Sequence, residues 1–94
     1  MTIVHNVSQS SSAVIPWPCD FGNSMLTGDS VASAVITHTP PSGAATSPSQ
    51  VIASNIVYAV VGPLTVTGVH EVLVVETSAS GYVDDILLII RVDF

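Results

Sequence analysis

Two segments near the end of the chain, residues 70–77 (H-E-V-L-V-V-E-T) and 85–92 (D-I-L-L-I-I-R-V), carry apolar side chains on both of their faces. Side chains alternate across a strand, so a sandwich strand with one face on the core and one in water reads apolar-polar in turn. Here Ile86, Leu88, Ile90 and Val92 form one face, while Leu87 and Ile89 add hydrocarbon to the opposite one. In the companion segment Val72 and Val74 share a strand with Leu73 and Val75. A chain of 94 residues supports one domain with one core and has few means of covering a second apolar face. The pattern predicts that something docks there. The candidates are the chain's own N-terminal arm or long loop, or a neighbouring subunit.

Charge points the same way. Only 9% of residues are charged, the net charge is −6, there is no lysine, and Arg91 is the sole Lys or Arg. Ordinary domains carry about 25% charged residues. With 48% hydrophobic residues and a mean hydropathy of +0.65, the surface expected here is poorly suited to a dispersed monomer. Nucleic-acid binding is disfavoured because phosphate contacts need clusters of Lys or Arg, and docking on anionic membranes is disfavoured for the same reason. No stretch approaches the roughly 20 apolar residues of a membrane helix, and residues 1–5 lack the basic start and apolar run of a signal peptide. Cys19 is alone, beside Pro18 and Asp20 with no cation to activate it, and reads as a packed, inert thiol.

Apolar spacing at i, i+3 and i+4 is nowhere sustained over two turns, so no helix longer than a single turn is expected. The chain reads instead as β-rich runs punctuated by Gly, Pro and Ser, an all-β antiparallel immunoglobulin-like sandwich of about six or seven short strands. Residues 1–12 read as a flexible N-terminal arm, with a possible short strand at residues 2–7, and residues 13–94 as the sandwich. A strand beginning at residue 13 is expected to stop at Pro16 and Pro18, which cannot donate to a ladder. Residues 31–38 form a strand, residues 42–49 a loop, residues 51–61 one long strand, and residues 78–83 a hairpin loop leading into the last strand.

Sites of chemistry are scarce. His5, His38 and His70 lie 32 or more residues apart with no close pair, against the tight spacing typical of zinc ligands, and read as partly exposed strand histidines. Asp84 and Asp85 are adjacent, so on a strand they point to opposite faces and cannot act as an acid–base pair. A calcium ion at residues 81–85 is conceivable, against a solvated turn. Gly22 and Gly28 lack the lysine and helix of a phosphate loop. No catalytic residue, metal site or cofactor is assigned. Trp17, held in Pro16-Trp17-Pro18 ahead of Phe21, reads either as a core or rim residue closing one end of the sandwich or as an aromatic anchor for a partner. The candidate interface residues are therefore Trp17, Phe21, Val72, Val74, Leu87 and Ile89, with the alternates of the four strand residues left open.

Several segments together resemble a group of small immunoglobulin-like virion proteins of tailed phages, of the fibre–tail adaptor or neck type. The likeness runs through Asp20-Phe21, then Leu26-x-Gly28-Asp29-Ser30-Val31-Ala32-Ser33 and Val35-x-Thr37. It continues through Gly68-x-His70-x-Val72, Thr77-Ser78-Ala79 and the closing Arg91-Val92. It covers roughly residues 14–92 in order and spacing. The chain departs from that pattern at Ser80-Gly81-Tyr82, where the group has a shorter turn of glycine and a basic residue, and in its Ser-rich arm. The resemblance implies a non-enzymatic structural protein of the virion, oligomeric in the particle and bound to neck, tail, fibre or capsid proteins. A capsid decoration protein, or a receptor- or sugar-binding module of a fibre or cell surface, are the alternative expectations.

Overall fold

Short β-branched runs separated by turn residues favour strands over helices, and the chain builds almost nothing else. The computed structural model describes residues 3–93; the first two residues of the expected arm and residue 94 of the expected sandwich lie outside them. The strands are β1 (Ile3–Ser10), β2 (Ile15–Asp20), β3 (Val31–Thr39), β4 (Ser49–Ala53), β5 (Ile56–Val61), β6 (Gly68–Ser78) and β7 (Val83–Asp93), with one 3-10 turn at Gly22–Ser24. They form a four-stranded sheet, β1-β7-β6-β3, and a three-stranded sheet, β2-β5-β4. That is the strand order of an immunoglobulin-like sandwich in which the first strand has joined the sheet of the last. The molecule is elongated, 43 × 19 × 19 Å.

Alternation decides which faces meet. His70, Val72, Val74, Glu76 and Ser78 of β6 and Ile86, Leu88, Ile90 and Val92 of β7 turn inward and are buried. Val57, Ala59 and Val61 of β5, with Cys19 and Phe21, close the core from the opposite sheet. Three interface candidates are thereby corrected: Phe21 is 1% exposed, and Val72 and Val74 are fully buried. The register explains the error at β6. Val72 pairs with Leu88 and Val74 with Ile86, on the core side, while Leu73 pairs with Leu87 and shares its outward face.

The N-terminal segment also differs from the flexible arm expected for residues 1–12. Ile3–Ser10 is a strand laid parallel on β7, from Ile3 opposite Ile86 to Ser10 opposite Asp93. It extends the sheet sideways, with Val7 half-buried against the core. The prolines of β2 do not stop that strand at its start. Phe21 donates its amide to the Asn55 carbonyl at 2.9 Å, so odd-numbered residues turn their amides towards β5. Pro16 and Pro18 therefore present their missing donors to the free edge, where no ladder bond is lost. The long strand expected over residues 51–61 is instead a hairpin, broken at Ser54 and Asn55, with Ser54 in the left-handed region at φ +56°.

One polar knot ties the start of the chain to the middle. Gln9 is 5% exposed; its amide donates to the carbonyls of Val61 (2.9 Å) and Ala13 (3.0 Å) and accepts from Trp17 Nε1 (2.8 Å). Every polar atom of that side chain is satisfied, as a buried amide requires. Gly62 passes directly behind this knot at φ +129°, so close to the Ala13 carbonyl that a Cβ would have no room.

Candidate docking face

The outward side of the four-stranded sheet is where the excess of hydrocarbon ends up. Register sets its rows: Val4, Leu87, Leu73 and Thr37 run across the four strands, flanked on one side by Asn6, Ile89, Glu71 and Thr39. On the other side lie Asp85, Val75 and Val35. Leu73, Val75, Leu87 and Ile89 are half-buried, and Val35 at 67% and Val4 at 48% remain exposed. Neither internal cover is in place. β1 lies beside β7 within the sheet, and the loop after β3 folds along the β3 edge, where His38 and Thr46 exchange backbone bonds of 2.8 and 2.9 Å. Two shallow hollows mark the face. One of about 460 Å³ lies between Thr37, Thr39, Glu71, Leu73, Asp85 and Leu87, and one of about 230 Å³ lies beside Arg91 and Ile89.

Of the six residues named from sequence, then, Leu87 and Ile89 stand on one open face, joined there by Leu73, Val75, Val35 and Val4. Phe21, Val72 and Val74 belong to the core. Trp17 is packed against that core and tied by its indole nitrogen to Gln9, which fits the rim reading of the two left open. Leu73 and Val75 stood only as alternates to Val72 and Val74, because two-sided apolarity hides which set faces inward. The signal that separates them is the hairpin register, in which Thr77 pairs with Val83.

The histidines hold a second surprise. His38 and His70 are neighbours, with stacked rings 5.0 Å apart, and His70 is 1% exposed. His70 Nε2 lies 2.6 Å from the Val66 carbonyl oxygen and so carries the proton, which leaves Nδ1 to accept from His38 Nε2 at 2.8 Å. The expectation of partly exposed strand histidines is corrected for His70, which is buried and paired with His38; His38 itself is half-buried. Their shared parity with Ile36 and Val72 is the sequence signal, since residues two apart line one face. His5 sits on exposed β1, apart from this pair. Among the described residues no three His, Cys, Asp or Glu side chains converge to hold a metal ion. Burial pushes the Cys19 thiol up to about 11, as for an inert core cysteine.

The lowered His38 value is expected to make stability depend on pH. Burial, and then the neighbouring His70, hold the His38 imidazole below its ordinary 6.5. A base with a lowered folded value contributes stability that is complete above the unfolded value and is lost as pH falls through the folded one. The urea midpoint is expected to fall as pH is lowered from 7.5 to 5.5. In His38→Gln the fall should be markedly shallower; parallel curves for the two proteins would remove the pair as its cause.

No protein-family model and no curated protein matches this chain.

Proposed function

We propose that this protein is a non-enzymatic structural component of a tailed-phage virion, joining neighbouring virion proteins at a neck, tail or fibre-adaptor position through the outward face of its four-stranded sheet. The observation that carries the reading is that face. It has four half-buried aliphatic side chains in contiguous rows, Leu73, Val75, Leu87 and Ile89, and no segment of the described residues across them. A contiguous exposed apolar patch on a small domain marks an interaction surface. An interface of standard size removes about 800 Å² from each partner, and at about 25 cal/mol per Å² of apolar area a good part of its stability comes from such aliphatic rows. The scarcity of charge supports the same reading, because a chain that spends its life in an assembly has little need of a solubilising surface. The ordered likeness to small immunoglobulin-like virion proteins supplies the setting.

The copy number of the chain in purified particles, measured by quantitative mass spectrometry against the major capsid protein, tests the reading. Roughly six to a few dozen copies are expected from the symmetric rings such positions impose. Hundreds would move the protein to capsid decoration, and absence from particles would overturn the virion reading altogether.

A further inference from the structure

At the end of the sandwich formed by the β6–β7 hairpin, three carboxylates line one hollow with no Lys or Arg among its walls. Glu76 of β6 and Asp84 of β7 are direct cross-strand partners, an arrangement that like charges disfavour. Glu76 is 2% exposed and its Oε2 has no hydrogen-bond partner. Asp29 stands beside them, accepting from the amides of Ser30 (2.9 Å) and Ser80 (3.2 Å). Hydrogen bonds, that of the Ser78 hydroxyl foremost, keep Asp29 low and so ionised. The side chains line a hollow of about 340 Å³ whose remaining walls include Met25, Leu26 and Tyr82. Leu26 and Tyr82 are 63% and 62% exposed and form its rim.

A buried, unpartnered carboxylate facing two more is costly unless a proton or a cation joins it. The chain has little with which to supply a cation. Arg91, its only Lys or Arg, is seven positions along β7 from Asp84, about 23 Å at 3.3 Å per residue, and on the outward face. We propose that this hollow receives an arginine side chain of a partner protein. The chemistry fits that guest better than a metal ion. The three carboxylates do not converge on one point, whereas a planar guanidinium spreads its donors over several acceptors at once. The apolar rim suits the stem of the guest, and the Tyr82 ring can lie against its cationic head. Without a guest, burial first, then Asp84 and Asp29, hold the Glu76 carboxyl above its ordinary range. The inference stands independently of where in a particle the protein sits.

The test is a titration of the isotope-labelled protein with acetyl-Gly-Arg-Gly-amide, followed by amide chemical shifts, with the citrulline peptide and calcium chloride as comparisons. Saturating shifts confined to residues 25–30 and 76–84 are expected with the arginine peptide and none with citrulline. Affinity should fall at least about tenfold in Glu76→Gln, the loss of one charge-assisted contact. Asp84→Asn should weaken binding as well, and serves if Glu76→Gln does not give a folded spectrum. Equal binding of the citrulline peptide, shifts scattered over the acidic surface, or affinity unchanged in the folded variants would overturn the proposal. So would calcium saturating the same amides at lower concentration, which would make the hollow a metal site.

Discussion

Replacing Gly62 with alanine is expected to cost the fold about 3–5 kcal/mol, the range reached when backbone strain and a broken buried network coincide. A domain of this size has roughly 5–15 kcal/mol of stability in total, so the variant would sit close to unfolding. The reasons are geometric. The φ of +129° lies where side chains are strained, and the new Cβ would collide with the Ala13 carbonyl oxygen and come within 2.9 Å of Gln9 Nε2. Nothing there can yield cheaply, because the Gln9 amide is already committed to Ala13, Val61 and Trp17. Moving it leaves buried carbonyls and an indole N–H unpaired. Gly81→Ala is the matched comparison: φ is +90° but no atom lies within 4 Å of the added methyl, so only a backbone cost of about 1 kcal/mol is expected. Urea unfolding of both variants decides the point. Equal losses would show that conformation alone, and not the contact with the Gln9 knot, makes Gly62 necessary.

Leu87→Lys is expected to leave the domain folded, with a loss of no more than about 1 kcal/mol for a side chain that is only half-buried. Under the proposed virion role, its incorporation into particles should nevertheless fall by tenfold or more, as when a central interface residue is lost. The residue lies in the middle of the outward rows, between Val4 and Leu73, and a lysine there would place an unpaired ammonium against the docked surface. Val74→Lys provides the contrast, since Val74 is fully buried and a charge at that site should abolish folding itself. Melting temperature read alongside the amount of protein in particles separates the two effects. If Leu87→Lys enters particles as well as the native chain does, the outward face is not where neighbours bind.

How far the fold was legible depended on whether one local signal or a competition between signals decided each element. β3, β6 and β7 follow from β-branched runs ended by proline or glycine turns, and the sandwich class follows from their spacing. β2 was misread because proline was weighed as a breaker, while its real consequence depends on whether the strand stands at an edge. That is a tertiary fact. The Ser54-Asn55 turn lacks glycine and proline, so its only local signal was a Ser-Asn pair, outweighed by the apolar residues on either side. The candidate docking face was visible as an excess of hydrocarbon at Leu87 and Ile89, but assigning its β6 members needed a register that two equally apolar parities conceal. The pairing of His38 with His70, and the isolation of Glu76 opposite Asp84, arise only when strands distant in sequence are brought side by side.

The parallel pairing of the first strand with the last has a mechanical consequence. A pull that draws the entry of β1 and the exit of β7 in opposite directions acts along both strands. The eight paired residues from Ile3 to Ser10 would then be loaded in shear, all their bonds sharing the force. An antiparallel hairpin pulled from its open ends is instead peeled one bond at a time. In a domain joined in this way, tension would run along the paired strands, and the bonds between them would have to fail together before β1 left the sheet.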